Sequence, residues 1–430
     1  MSDFLEELDA WLDANWDPEL TVAEWWQRLG PSGWSAPALP VNAYGKGMSR
    51  SDAIAVGNRI VKRGAVAAPG GLGMLLAAPT IAVHGSQAQI DRYILPIVSG
   101  QQAWCQLFSE PGAGSDLAGL GCKAEKDGDE WIVNGQKVWT SGGQIADMGM
   151  LIARTNPEAP KHQGITWFAC DMHQAGVEIR PLREMTGRAL FNEVFLSDAR
   201  VRDDATIGGT NNGWAVANTT LMFERSGLGA GGHSAVALAN AGSIAGDLPK
   251  RVGDFVKAPG PSGGSGGGGS MAAGAVSLFT QMAKDSGAIH QATVRQDLMK
   301  LHTLHEVGRM FAMRLKAEKI AGRDIPGAPN IAKLSMSEIM RQSRDLGMRL
   351  AGPGATLHAY SADERTALDA ATGRPLLAFV TEMALFAQGP PIYGGTDQVQ
   401  RNIIGERALG LPKEPNNDRT MSWSALPKNG

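Results

Sequence analysis

The sequence predicts an α+β chain in three successive parts: a helical domain over 1–100, a central antiparallel β domain over 101–208 and a helical bundle over 209–415, followed by a tail at 416–430. Two changes of texture and one interruption carry this reading. Helix-period apolar spacing gives way near residue 101 to short β-branched and aromatic runs, and returns near residue 210 in long segments. The interruption is a Gly/Ser-rich connector at 258–272 inside the last part.

Each part follows from its own residues. In the first, FLEELDAWL, AEWWQRL and QAQIDRYILPIVSG place apolar residues three or four positions apart, the spacing of one helix face. Trp11, Trp16, Trp25, Trp26 and Trp34 are expected to pack these helices together. In the second, EWIVNGQKVW, MGMLIART, GITWFACDM and VEIRPL are strand-like runs broken by NG, GG, NP and DG turn signals. The third contains GWAVANTTLMFERSG, VRQDLMKLHTLHEVGRMFAMRLKAEKIAG, IAKLSMSEIMRQSRDLGMRLAG and LLAFVTEMALFA, whose lengths suit bundle helices. Met310, Met313, Met336, Met340 and Met348 are expected in its core, and the KRVGDFVK stretch on a solvated face. Residues 260–270, GPSGGSGGGGS, hold seven glycines and three serines, too little apolar surface to offset the cost of ordering. The run has the composition of a laboratory linker, and Met271 after it fits that origin; a natural loop between helices fits equally.

Composition narrows the function classes. With 430 residues, 43% hydrophobic and 19% charged, the chain has material for a large core. Lys and Arg total 40 against 43 Asp and Glu, a net charge of −3, which argues against nucleic acid or an anionic membrane surface as partner. Cys105, Cys122 and Cys170 are odd in number and form no CxxC, so they read as reduced thiols of a cytoplasmic protein. The acidic start MSDFLEELDAWLDANW is unlike a signal peptide, and no apolar run is long enough for a membrane helix. His302 and His305 lie about one helical turn apart, but no Cys or carboxylate at ligand spacing joins them, so no metal is expected.

Three blocks carry chemistry. Phe108-Ser109-Glu110-Pro111-Gly112-Ala113-Gly114-Ser115-Asp116 bends the chain tightly, leaving backbone N–H groups and two hydroxyls for a ligand; an ordinary surface turn would look the same. NGQKVWTSGG sets Trp139 beside Ser141 at the end of a strand, an aromatic plane next to a hydroxyl, as a flavin ring requires. Near the C-terminus stands YGGTDQVQRN, Tyr393 to Asn402, followed by GERALGLPKEP.

In this order and spacing the three blocks resemble the acyl-CoA dehydrogenase family, over about residues 20 to 415. The resemblance implies an N-terminal helical domain, a β domain and a C-terminal four-helix bundle, with FAD between the last two and a dimeric or tetrameric assembly. By position, it implies that Gln106, Leu107, Ser109 and Gly114 line the flavin, with Ser115 on the pyrophosphate and substrate side. Trp139 would pack on the isoalloxazine and Ser141 would hydrogen-bond its reactive edge. Thr396 and Gln398 would meet the adenosine end, and Gly352 and Gly354 the FAD of a neighbouring subunit. Arg225, Gly394 and Gly395 would border the substrate.

Two positions depart from the commonest family pattern. Most members carry a catalytic glutamate where this chain has Gly394, whereas a branch similar to isovaleryl-CoA and long-chain acyl-CoA dehydrogenases carries it on an earlier helix, before an arginine. Leu221-Met222-Phe223-Glu224-Arg225 matches that second arrangement and makes Glu224 the expected base. Neighbouring helix residues point about 100° apart, so Glu224 is poorly placed to pair with Arg225 alone. The usual Arg-x-x-Phe-Gly stretch is replaced by SGAIHQATVRQDLMK, leaving Arg295 or Gln296 as its substitute. The reading is an FAD-dependent dehydrogenase passing electrons to an electron-transfer flavoprotein. Alternatives are a catalytically silent subunit of a heteromeric enzyme, or a relative of the acyl-CoA oxidases or nitroalkane oxidases. SGLGAGGHS after Glu224 suggests a helix that bends there, and the acyl group itself is not legible.

Overall fold

In the computed structural model, which describes residues 3–229, 239–256, 275–374, 376–413, 415, 418 and 420–427, the chain begins with five α-helices. These are α1 (Asp3–Asn15), α2 (Val22–Leu29), α3 (Arg50–Lys62), α4 (Ala78–His84) and α5 (Gln87–Val98). Thr21 with Glu24, and Ser86 with Gln89, form capping boxes that set the starts of α2 and α5. Trp25 and Trp26 are fully buried, and their indole N–H groups donate to the Val66 carbonyl at 2.8 Å and the Ala67 carbonyl at 2.9 Å. A buried indole removes roughly 150–250 Å² from water, about 4–6 kcal/mol of driving force before entropy. The expected tryptophan packing is present: Trp34 joins this core and Trp11 and Trp16 lie against it.

Eight strands follow: β1 (Trp104–Leu107), β2 (Lys123–Asp127), β3 (Glu130–Ser141), β4 (Met148–Arg154), β5 (Ile165–Asp171), β6 (Val177–Leu182), β7 (Phe191–Arg202) and β8 (Thr206–Ile207). They form one sheet in the order β6-β7-β3-β2-β4-β5-β8, with β1 on β4. The sheet is mixed rather than purely antiparallel, because β1 and β2 each run parallel to β4. A loop and two strands separate β1 from β4, a connection long enough to return the chain in the same direction.

Then come α6 (Gly213–Gly229), α7 (Val252–Val256), α8 (Ala275–Asp285), α9 (Ala292–Ile320), α10 (Ala328–Ala351), α11 (Ala362–Thr372), α12 (Leu377–Phe386) and α13 (Asp397–Arg407). α10 is central, packing on α9, α12, α13 and α6. The sheet, α4, α5 and the Val216–Ala217 face of α6 share one core; the bundle and the N-terminal helices each have their own.

Several expectations need correction. KRVGDFVK is not simply a solvated face. Lys250 and Leu248 carbonyls accept from Val22 and Ala23 amides at 2.8 and 3.0 Å, Val252 is buried, and Phe255 packs among the N-terminal helices. Met340 lies in the bundle core as expected, but Met310 is 58% and Met313 61% exposed. Through the first part of SGLGAGGHS, where a bend is expected, α6 continues as helix to Gly229. Ala230 to Ser234, and the Gly/Ser-rich run at 258–272, lie outside the described residues.

Candidate active site

β1 delivers the chain to the Ser109–Asp116 loop, and the loop is fixed from beneath. The Glu110 and Ala113 backbones exchange hydrogen bonds at 2.9 and 3.1 Å, closing a turn over Pro111 and Gly112, while the Ser109 carbonyl accepts from the Val138 amide at 2.9 Å. Lys137 has no exposed surface; its ammonium donates to the Phe108 carbonyl at 3.0 Å and pairs with Glu110 at 2.7 Å. Glu110 also accepts from the Gly121 and Cys122 amides, at 2.7 and 3.0 Å. Its carboxylate is thereby matched on each oxygen, the condition under which a buried ion pair holds geometry rather than destabilising it. Sequence reasoning missed Lys137 and Glu110 as supports; in sequence each reads as an ordinary charged residue of a strand or a turn.

The rim of the loop remains open. A Cβ built at Gly112 or Gly114 would meet nothing within 4 Å, and neither has a positive φ, so the chain's own packing does not demand glycine there. Among the described residues the Ser109, Ser115 and Ser141 hydroxyls take no hydrogen-bond partner in the chain. Trp139 stands in a bulge between β3 and β7 with φ 61° and 55% exposure, its ring edge-on to Phe191 at 5.8 Å. An unmatched aromatic face on a strained left-handed residue, beside free hydroxyls and open glycines, fits a flat heteroaromatic group carrying phosphate.

Glu224 is placed by α6. A Cβ at Gly213 would lie 2.5 Å from the Thr166 carbonyl carbon and Trp167 nitrogen, so the helix starts directly on β5. Thr220 meets Thr80 at 3.1 Å and Thr219 meets His84 at 2.8 Å, tying α6 to α4. Leu221 and Phe223, just beyond these ties, pack on the sheet core, and Glu224 comes within reach of β1: the Gln106 amide nitrogen donates to its carboxylate at 3.4 Å. Burial raises the Glu224 carboxyl above its ordinary 4.5, opposed by the Gln106 hydrogen bond and the Arg225 charge. Arg225 turns back on its own helix, its Nε donating to the Leu221 carbonyl at 2.9 Å. Burial and the nearby Arg407 both lower its pKa.

The Gly394–Gly395 turn is built from the bundle side. Both glycines have positive φ, 62° and 81°, and the Gln400 amide donates to the Gly394 carbonyl at 2.7 Å while accepting from Asn330 at 2.6 Å. Next to it, buried Asp397 is matched by Lys333 at 3.1 Å and Arg341 at 2.8 Å. Thr396 caps α13, its hydroxyl accepting from the Val399 amide at 3.2 Å, and Gln398 is exposed.

The structure thus joins Gln106 to Glu224, and the Ser109 loop to the strand carrying Trp139 and Ser141; Leu107 is buried in the sheet core. It does not join every expected position. Among the described residues no hydrogen bond, ion pair or ring contact links Arg295, Gly352, Gly354, Thr396 or Gln398 to Trp139, Ser141 or Glu224. Arg295 donates to the His290 carbonyl at 3.0 Å at the start of α9. Gly352 ends α10 with φ 57°, and a Cβ at Gly354 would touch Leu377 at 3.3 Å.

Comparison with known proteins bears on the whole chain. The family models for the N-terminal, middle and C-terminal domains of acyl-CoA dehydrogenases match residues 1–101, 105–199 and 266–409. Residues 200–265, with α6 and Glu224, lie outside all three. The acyl-CoA dehydrogenase IpdE1 of Mycobacterium tuberculosis is 32% identical over 391 residues, 91% of this chain and 88% of that protein. FadE34 of the same organism is 34% identical over 386 residues, 90% of this chain; the chain spans 46% of that longer relative. Among solved structures, the ChsE4–ChsE5 complex of M. tuberculosis aligns with a TM-score of 0.66 at 27% identity, covering 96% of this chain and 99% of the other. The Tcur3481–Tcur3483 steroid enzyme, at 22% identity, TM-score 0.67 and coverage of 96% and 98%, shares the fold. With domain matches along its length and a full-length relative at 32% identity, the chain belongs to the acyl-CoA dehydrogenase family.

Proposed function

We propose that this chain dehydrogenates an acyl-CoA thioester to the trans-2-enoyl-CoA, with Glu224 taking the α-proton and the electrons passing to an electron-transfer flavoprotein. Bound FAD would supply the hydride acceptor for the β-carbon. The loop residues Gln106, Leu107, Ser109, Gly114 and Ser115 would hold the cofactor with Trp139 and Ser141, and Thr396 and Gln398 its far end. The single observation that carries the proposal is the Gln106–Glu224 contact: it sets a carboxylate with a raised pKa beside the strand that feeds the flavin loop. A carboxylate whose pKa is nearer neutrality retains an abstracted proton better, and seating an acyl chain removes more water from it. In the reaction the α-C–H bond breaks, its proton goes to a Glu224 oxygen, and Gln106 keeps that oxygen oriented. Arg225, Gly394 and Gly395 would border the acyl group; Gly394 puts no carboxylate at the family's usual base position.

A second reading, a partner-dependent subunit, is favoured by one observation: Arg295, the candidate for the cofactor's pyrophosphate, is turned onto the 288–290 turn of its own chain. The face of α9 carrying Met299, Val307, Met310, Met313 and Ile320 is more than half exposed at each of these residues, which suits packing against a copy or a related chain. Among the described residues no helix is long and apolar enough to cross a membrane, and we place the protein in the cytoplasm. The test is the visible spectrum of the purified chain before and after anaerobic addition of a panel of acyl-CoAs. Flavin bands that bleach with one acyl class support the dehydrogenase; a colourless chain that takes up no added FAD refutes it in favour of the partner-dependent subunit.

A further inference from the structure

Where the C-terminal tail passes the β domain it meets two cations that the family reading leaves unused. Arg154, at the end of β4, and Lys161 are 2% and 4% exposed. The Arg154 guanidinium donates to the Lys161 carbonyl at 2.7 Å and to the Ala118 and Leu120 carbonyls at 2.6 and 3.4 Å. Among the described residues it has no carboxylate at ion-pair distance; instead it lies over the Trp423 ring, 4.8 Å from the centroid. Burial lowers its pKa to about 10. The Lys161 ammonium bridges two distant segments, reaching both Asp116 oxygens at 3.0 Å and Asp418 at 2.7 Å.

The tail is also paired through its backbone. Trp423 and Ser424 amides donate to the Ala159 and Pro157 carbonyls at 2.9 Å, and Ser422 bridges antiparallel to Pro160. The Trp423 indole N–H donates to the Gly119 carbonyl at 3.3 Å, and a Cβ at Gly121 would touch its ring at 4.0 Å. Residues 116–121 are therefore held on one side by Glu110 and Lys137 and on the other by the tail. Those residues continue directly from the exposed rim of Gly112, Gly114 and Ser115.

We propose that the tail, through Asp418 and residues 420–424, acts as a strap that fixes the far half of the 109–121 loop, with Asp418 and Trp423 as its positioning residues. Asp418 acts through the Lys161 bridge on Asp116; Trp423 acts on Gly119 directly and, through Arg154, on the Ala118 and Leu120 carbonyls. The tail matches Arg154 and Lys161, the two buried cations that hold the loop from β4 and the turn after it, so losing the tail contacts leaves the sheet intact and frees the loop. The consequence for cofactor binding rests on reading this loop as part of the flavin site, and the test separates the two.

The full-length protein is compared with Asp418→Asn, Asp418→Glu, Trp423→Leu and the control Ser424→Ala, whose hydroxyl among the described residues reaches only Glu158 and Ser422. Hydrogen–deuterium exchange is followed over peptides spanning 109–121, and FAD affinity by fluorescence titration. Asp418→Asn and Trp423→Leu are expected to speed exchange of 116–121 about tenfold, the size of one lost charged hydrogen bond, and to weaken FAD by a similar factor. Asp418→Glu restores part of the protection and Ser424→Ala changes nothing. Exchange unchanged in both Asp418→Asn and Trp423→Leu overturns the strap. Faster exchange with FAD affinity intact upholds the strap and removes the loop from the flavin site.

Discussion

Replacing Glu224 by Gln tests the proposed base with almost no change of shape. The amide occupies the volume of the carboxylate, and the Gln106 side chain can still donate to its oxygen from 3.4 Å, a contact worth under about 1 kcal/mol. What disappears is the ability to accept a proton. A positioned general base contributes roughly 10²- to 10⁴-fold, so at about 1.36 kcal/mol per decade about 2.7–5.4 kcal/mol of transition-state stabilisation should be lost. Stability should move the other way. Burial raises the Glu224 pKa in the folded state, so its contribution to folding is fully present below 4.5 and is lost as pH rises through the raised value. At neutral pH the native enzyme therefore carries a desolvation penalty that the Gln variant lacks, and the variant's melting temperature should equal or exceed the native one. The assay is stopped-flow reduction of the flavin on mixing with acyl-CoA, beside calorimetric melting, across pH. Native reduction should slow as pH falls through the raised Glu224 pKa, because the protonated acid cannot accept another proton; the variant should be slow throughout. A Glu224→Gln enzyme of normal flavin content reducing within about threefold of the native rate would refute Glu224 as the base.

Two further substitutions test the supports of the site. Trp139→Gly removes an exposed indole from a left-handed position: relief of about 1–2 kcal/mol of backbone strain offsets a ring contact of about 0.5–1.5 kcal/mol and the flexibility of glycine. Urea titration should find stability within about 1 kcal/mol of native while flavin retention falls; unchanged flavin retention would show that Trp139 has no role in binding it. Lys137→Met strands Glu110 beneath the loop, and breaking a buried pair costs about 3–5 kcal/mol. Because the Gly121 and Cys122 amides still serve Glu110, the lower end is expected by denaturant unfolding, and a loss below about 1 kcal/mol would mean that the pair is not what anchors the turn.

Much of the molecule is legible residue by residue. The order helix, sheet, helix follows from apolar spacing of three or four against runs of β-branched residues, and the capping boxes that the structure shows at α2 and α5 join residues only three positions apart, Thr21 with Glu24 and Ser86 with Gln89. These are local effects, set by which neighbours along the chain can share a face or a cap. The Ser109–Asp116 and Trp139–Ser141 blocks stand out in the same way, because a Pro/Gly-rich turn and an aromatic residue next to a hydroxyl are visible over a few consecutive positions.

Other features depend on contacts between distant segments, on which spacing is silent. Apolar periodicity on α9 marks a stripe but not whether anything covers it, so Met310 and Met313 face outward although the same pattern describes a core helix. KRVGDFVK has only Val252, Phe255 and Val256 to announce its docking, too few for a period, yet the open edge near Thr21 supplies backbone partners. The parallel pairing of β1 with β4 positions Gln106, whose amide reaches Glu224 118 positions away; the family motif names the glutamate, but neither that partner nor the burial that raises its pKa can be read from spacing. Lys161 shows the same dependence: its sequence context is an ordinary loop, while its place between Asp116 and Asp418 is decided by where the tail returns. The sequence by itself determined the elements and marked the Gly-rich turns between them, because short-range sterics and caps act within a few residues. The tertiary structure alone decided which charges are buried together and which apolar faces stay open, because burial is a property of the partner as much as of the residue.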